Sequence, residues 1–259
     1  MHSPRQVLYK QIGDVKLTLD IYNPPGHRQT DKRSCIVFFF GGGWVNGTQT
    51  HFAMQSAHLA SRGMVAICAD YRVQSRHGVD PGQCVGDAKS AMRWVRGHAS
   101  ELGIDPDRIA AGGGSAGGHL AAAAALIQDF DDPQDDLAIS SRPQALVLFN
   151  PVIDNGPDGY APDSIKTYWQ AFSPMHNIAK GVPPAIFFLG TKDQLIPVAT
   201  ADAFKRKIEA VGGTCDVVLY PDQSHGFFNQ GALYDHTLCL VDQFLVKHGL
   251  LQELASGLT

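Results

Sequence analysis

Arg108-Ile109-Ala110-Ala111-Gly112-Gly113-Gly114-Ser115-Ala116-Gly117-Gly118-His119-Leu120 runs from a short apolar stretch, through glycines on both sides of one serine, into an alanine-rich segment. The pattern reads as a buried strand that turns sharply into a helix, with Ser115 at the turn. Gly113, Ser115 and Gly117 fit G-x-S-x-G, the spacing of a nucleophile held at a strained strand-to-helix corner. Small residues are needed there because bulkier ones would collide with the adjoining strand and helix. Ser115 would then stand at a helix N-terminus, where backbone N–H groups and the helix dipole favour negative charge. Gly112, Gly114 and Gly117 also fit G-x-G-x-x-G, the dinucleotide fingerprint. That loop normally follows the first strand of a βαβ unit and is answered by an acidic residue ending the second strand. Here several strand-like runs come first, and the corresponding region is the polar loop Asp131–Asp136, so position favours the nucleophile over a nucleotide loop or a packing turn.

Outward from this corner, short apolar runs at Cys35–Phe40, Val65–Ala69, Ile109–Ala111, Ala145–Phe149, Ala185–Leu189 and Asp216–Tyr220 alternate with helix-length segments. The helices are expected near Phe52–Ser61, Gly82–Ala99, Ala116–Ile127, Val198–Ala210 and Tyr234–Lys247. Repeated strand–helix units of this kind predict a mostly parallel sheet covered on both faces. Val7–Ile12 and Lys16–Tyr22 flank Gly13-Asp14 and predict a hairpin ahead of it. With 259 residues, 44% hydrophobic, the chain is expected to form one domain, 1–259, with 151–184 as a short lid or substrate-binding insertion.

Formal charge is -4 and no Lys or Arg run could neutralise a phosphate backbone, which argues against nucleic acid as a partner. Met1–Lys10 lacks the pattern of a secretory signal, and no stretch reaches the ~20 apolar residues of a membrane span, so a cytoplasmic protein is expected. Cys35, Cys68, Cys84, Cys215 and Cys239 show no metal-ligand spacing and read as buried thiols; neither metal nor cofactor is expected. Leu233–Leu245 is a candidate exposed apolar strip for a homodimer.

Phe38-Phe39-Phe40-Gly41-Gly42-Gly43-Trp44 places three glycines directly after an apolar strand. Such a loop can turn successive N–H groups toward one point, as the oxyanion of an acyl-transfer intermediate requires. The expected donors are the backbone of Gly42, Gly43 and Ala116, with Trp44 N–H as a substitute. Asp193 in Gly190-Thr191-Lys192-Asp193, just past a buried strand, is the candidate acid ahead of Asp154 and Asp222. His225 in Ser224-His225-Gly226-Phe227, past the next strand, is the candidate base ahead of His119, which is expected to pack beneath the site, and His176. The order is serine, acid, histidine.

The segments Phe40–Trp44, Gly113–Gly118, Gly190–Asp193 and Ser224–Phe227, together with Asp70-Tyr71-Arg72 and the Asp87–Trp94 helix, resemble α/β-hydrolase esterases. The resemblance is to the hormone-sensitive-lipase-like and feruloyl or acetyl xylan esterase-like groups, from about residue 8 to 248. It implies an α/β-hydrolase fold with about eight strands and a small or absent cap, and metal-free hydrolysis of short acyl or aryl esters. It also implies that Ser115, Asp193 and His225 are the triad. Phe40 stands where such proteins commonly carry the histidine of HGGG, and Gly114 where many carry the aspartate of GDSAGG. These departures remove no reacting atom but take away bracing side chains near the oxyanion loop, and they shift the likeness toward the xylan or feruloyl esterase side.

The expected function is therefore a serine carboxylesterase acting on a small-molecule ester, with Trp44, Tyr168 and Trp169 as substrate-binding residues. Ser115 attacks the carbonyl, His225 takes and returns the proton, and Asp193 fixes the ring tautomer. The alternatives are a peptidase of the same fold, for which no gating domain is present, and a ligand-binding protein without chemistry, which would usually lack a triad member.

Overall fold

The computed structural model describes residues 4–160, 163–229 and 231–253. Its strands are β1 (Arg5–Ile12), β2 (Val15–Tyr22), β3 (Arg33–Phe39), β4 (Val65–Ala69), β5 (Ile104–Gly114), β6 (Leu146–Phe149), β7 (Ala185–Gly190) and β8 (Cys215–Tyr220). They form one 8-stranded sheet in the order β1-β2-β4-β3-β5-β6-β7-β8. β1 and β2 make the antiparallel hairpin, β2 pairs antiparallel with β4, and every later neighbour is parallel. The helices are α1 (Ala53–Ser61), α2 (Gln74–His77), α3 (Pro81–Gly97), α4 (Ala116–Leu126), α5 (Trp169–Phe172), α6 (Val198–Ala210) and α7 (Gly231–Lys247).

The unbroken hydrophobicity of the central strands follows from burial on both faces. In β3, Cys35, Val37 and Phe39 belong to the core under α3, α4 and α6, whereas Ile36 and Phe38 belong to the core under α1 and α7. Removing one such side chain from water contributes about 1.5–3 kcal/mol, so each strand is held from two sides. The strand order reverses between β3 and β5, and in open parallel sheets the crevice at such a reversal collects the loops that follow the strands.

Three differences from the sequence expectations have simple causes. β5 extends through Gly114 rather than stopping at Ala111, because β3 and β6 lie close on either side; a Cβ at Gly112 would stand 2.7 Å from the Phe38 ring. The apolar strip of α7 is not an exposed face: Val241, Phe244 and Leu245 are buried against the chain's own sheet. Four cysteines are buried as expected, but Cys239 is exposed on the outer side of α7. The 151–184 region is packed rather than open, with Ile153, Ile165, Phe172 and Met175 buried; 161–162 lie outside the described residues. No helix among the described residues is long and apolar enough to cross a membrane.

Candidate active site

β5 passes into α4 through Ser115, whose backbone sits at φ 55, ψ -122. This is a conformation that L-residues adopt only under constraint from their surroundings. The constraint is visible on both sides: a Cβ at Gly113 would lie 2.4 Å from Gly117 O, and one at Gly117 would lie 2.0 Å from Phe39 O. Strand, corner and helix can approach this closely only with glycine at both positions. The corner is also tied to the loop after β6, since Ser115 N–H donates to Phe149 O (3.0 Å) and Val152 N–H donates to Ser115 O (3.1 Å).

The loop after β3 packs against this corner, where a Cβ at Gly41 would be 2.9 Å from Gly114 O. Gly42 (φ 127), Gly43 (φ 63) and Trp44 (φ 61) all turn to positive φ, so the loop doubles back beside Ser115. Among the described residues the N–H groups of Gly42 and Gly43 make no backbone or side-chain hydrogen bond, and Ala116 N–H opens α4 with no partner inside the helix. These are the three N–H groups that the sequence singled out as expected donors.

The two motif departures also find their place. The Phe40 ring stacks on Tyr71 at 4.0 Å, and Tyr71 O–H donates to Phe40 O at 2.7 Å. Gly114 makes room for Phe228, whose Cζ would be 2.7 Å from a Cβ at that position. Phe228 in turn stacks with Phe52 and Phe149. His51, outside the motif, bonds to the loop at Gly41. Its Nδ1 accepts from Gly41 N–H (3.3 Å) and its Nε2–H donates to Asn229 Oδ1 (3.1 Å).

Asp193 and His225 meet: Nδ1–H of the imidazole donates to Asp193 Oδ2 at 2.7 Å. The loops that carry them are laced together, with Thr191 N–H to Tyr220 O, Lys192 N–H to Gln223 O and Asp222 N–H to Thr191 Oγ1, each 2.9 Å. Asp193 Oδ1 accepts from the N–H groups of Leu195 (2.8 Å) and Ile196 (3.0 Å). Burial pushes this fully enclosed carboxyl up, but the hydrogen bonds from His225, Ile196 and Leu195 outweigh it and hold the group below the usual carboxylate range. The other ring nitrogen, Nε2, accepts from Asn150 Nδ2 at 3.3 Å. The amide orientation follows from Gly226 N–H, which must donate to Asn150 Oδ1 (3.1 Å) and so leaves the NH₂ facing the ring. Together the two contacts fit a ring with its proton on Nδ1 and a lone pair on Nε2.

The rivals lie elsewhere. Asp222 pairs with Lys192 at the surface, and Asp154 Oδ1 accepts from Gly156 N–H. His119 is fully buried under the oxyanion loop, donating from Nε2 to Phe172 O (3.0 Å), and His176 binds Ser173 Oγ. The acidic loop expected at Asp131–Asp136 serves as an anchor: Asp131 pairs with Lys89 and Arg93, and Asp132 with Lys10.

The residues named for substrate contact each make packing or hydrogen-bond contacts within the fold. Trp44 is only 1% exposed, wedged against His119 and Phe172 as part of the floor. Tyr168 hydrogen-bonds Asp80 at the start of α3, and Trp169 packs edge-on to His176, contacts that fasten the 151–184 region. Tyr160, like Phe172 an aromatic of that region, reaches the loop after β3, with its hydroxyl 3.4 Å from where a Gly43 Cβ would stand. Asn150 and His51 carried no sequence signal of their own; Asn150 simply follows a strand, and only pairing across the fold reveals it.

Residues 19–157 match the BD-FAE family model. The chain belongs to the BD-FAE family. Residues 159–237 match the dienelactone hydrolase family, another set of α/β-hydrolases, so the two matches together run through the elbow, acid and histidine loops. Carboxylesterase NlhH of Mycobacterium tuberculosis is 30% identical to this BD-FAE member over 87% of the chain and 75% of the relative. The probable carboxylic ester hydrolase LipM of the same organism is 33% identical over 88% of the chain and 58% of its own longer length. Among solved structures, Thermogutta terrifontis esterase 2 phosphonylated by cyclosarin superimposes with a TM-score of 0.93 at 45% identity, covering 97% of this chain and 96% of the other. The same esterase with propionate bound matches with a TM-score of 0.93 and 45% identity over 98% and 97% of the two chains. The α/β-hydrolase fold read from the sequence is thus the fold of this family member.

Proposed function

We propose that this protein is a serine carboxylesterase that hydrolyses short-chain carboxylic esters, with Ser115 as nucleophile, His225 as base and Asp193 as the acid behind it. The observation that carries the residue assignment is the 2.7 Å bond from His225 Nδ1–H to the buried Asp193, which holds the ring with the Nε2 lone pair, met in this structure by the Asn150 amide, as the one to take the serine proton. Ser115 Oγ attacks the ester carbonyl as its proton passes to His225 Nε2. The oxyanion is received by the N–H groups of Gly42, Gly43 and Ala116. Collapse of the intermediate expels the alcohol, which takes the proton from His225. Water then repeats the sequence on the acyl-enzyme, releasing the acid and restoring the serine. Asp193 keeps the ring in the required tautomer and stabilises the imidazolium that forms in each half.

The short-chain preference rests on the packing around the corner: Trp44, Phe172 and the Tyr160 hydroxyl close in on the oxyanion loop. It is also supported by the propionate-bound and butyrate-bound forms of the related Thermogutta esterase. The test is turnover of p-nitrophenyl esters from acetate to decanoate, with fluorophosphonate labelling of the nucleophile. Ser115→Ala is expected to lower kcat by roughly 10,000-fold or more and to abolish labelling while leaving the fold intact. A Ser115→Ala variant that turns over acetate at the wild-type rate would refute the assignment.

A further inference from the structure

We infer that His51 is a positioning residue that braces the oxyanion loop and couples it to the loop bearing His225. The inference rests on the esterase reading above. Both polar ends of the imidazole are used, one on each loop: Nδ1 accepts from Gly41 N–H at 3.3 Å, and Nε2–H donates to Asn229 Oδ1 at 3.1 Å. Asn229 closes the turn that begins at His225, its Nδ2 donating to Gly226 O at 3.0 Å. The ring therefore spans the gap between the proposed oxyanion donors and the proposed base, elements 178 residues apart in sequence from His51 to Asn229.

Aromatic contacts hold the bridge in place. His51 packs against Phe52 (centroids 5.1 Å) and stacks on Phe228 (6.2 Å). Phe228 can occupy that place only because residue 114 is glycine. The two motif departures are thus linked. With phenylalanine at position 40 the loop has no motif histidine to brace it, and with glycine at 114 the space opens for the ring against which His51 leans.

The chemical consequence lies in the direction of the oxyanion donors. Gly41 directly precedes Gly42 and Gly43 and itself touches the elbow, so fixing its N–H fixes the plane of the peptide that leads into both donors. His51 touches neither substrate nor reacting atoms; it acts by holding donors where the oxyanion will form. Such bracing contributes in the transition state more than in the ground state, because the oxyanion is where charge develops, and a misplacement of about 1 Å can cost roughly a hundredfold in rate. Loss of the brace should therefore appear in kcat, with KM little changed.

The experiment compares wild type, His51→Ala, His51→Asn and Asn229→Ala in p-nitrophenyl acetate hydrolysis, with rates expressed per site labelled by a fluorophosphonate at completion. Asparagine places its Oδ1 close to where His51 Nδ1 stands, so it restores the acceptor for Gly41 without restoring the bond to Asn229. The expected result is a fall in kcat of about tenfold to a hundredfold for His51→Ala at nearly unchanged KM. His51→Asn should recover most of that loss, and Asn229→Ala should lose about threefold to tenfold. The inference is overturned if His51→Ala matches wild type per labelled site, or if His51→Ala and His51→Asn lose equally. Should His51→Ala fail to fold, Asn229→Ala and His51→Asn still decide: wild-type kcat in Asn229→Ala, or a KM effect alone in either, overturns it. A wild-type chain that neither turns over ester nor labels at Ser115 overturns the esterase reading itself, an outcome distinct from these.

Discussion

At position 114 one missing side chain decides the surroundings of the elbow. The lipase-like motif that the elbow resembles has aspartate there, but here the Phe228 ring reaches to within 2.7 Å of where a Cβ would be. Phe228 is itself 1% exposed and stacked with Phe149 at 4.6 Å, so it cannot swing aside without opening the core. Gly114→Asp is therefore expected to bury a carboxylate against aromatic carbon and displace Phe228, destabilising the protein by about 2–4 kcal/mol. A urea titration measures this, and an unchanged midpoint would show that Phe228 can move freely. The residue that completes the motif elsewhere would damage this version of the site, because its neighbours have been rebuilt around glycine.

Among the elements, α3 is fastened to the front of the sheet by one buried carboxylate. Asp87, with no exposed side-chain surface, accepts from Arg72 through Nε (2.7 Å) and Nη2 (2.9 Å) and pairs with Lys10 of β1 at 2.8 Å. Lys10 continues to Asp132, so β1, α3, the turn after β4 and the 129–136 loop share one network. Replacing a buried ion pair by apolar groups can be neutral, but removing one partner leaves charge buried without compensation. Asp87→Ala leaves Arg72 buried without its carboxylate and Lys10 with Asp132 as its remaining acid, and should cost about 3–5 kcal/mol, seen as a lower urea midpoint with an unchanged slope. Stability within about 1 kcal/mol of wild type would mean that Lys10 and Arg72 find other partners. This network gives a physical content to the resemblance noted at Asp70-Tyr71-Arg72 and Asp87–Trp94, since those two segments are the ends of the Arg72–Asp87 pair.

Across the whole molecule, acid stability should carry the signature of His119. The ring lies wholly inside, bonded to Phe172 O beneath the oxyanion loop; burial pushes its pKa down to about 3, only partly opposed by that hydrogen bond. Folded, it stays neutral, whereas the unfolded ring takes up a proton near its ordinary 6.5. Above that pH the group leaves stability independent of pH. As pH falls from 6.5 toward 3, only the unfolded state gains the proton, so stability drops by up to about 1.4 kcal/mol per pH unit from this group. His119→Gln, which keeps a donor for Phe172 O and does not titrate, should flatten the slope of unfolding free energy between pH 6 and 4. An identical slope in both proteins would show that His119 is not the linked group.

The sequence alone determined the order of strands and helices, because period and length of apolar runs are set locally by which faces a strand or helix must bury. It also determined the geometry of the elbow, since Gly113 and Gly117 have one steric reason to flank Ser115, and it placed an aspartate and a histidine on consecutive strand ends. Tertiary structure alone decided which groups meet. The Asp193 and His225 loops are laced by Thr191, Lys192 and Asp222, and Asn150 joins His225 from 75 residues away. His51 takes up the bracing that Phe40 cannot give, and Tyr168, which reads as a substrate contact, is instead bound to Asp80. Local patterns record what a segment must bury. They do not record which of several polar side chains a distant loop will present to it, because that depends on the relative placement of elements that only the packed sheet fixes.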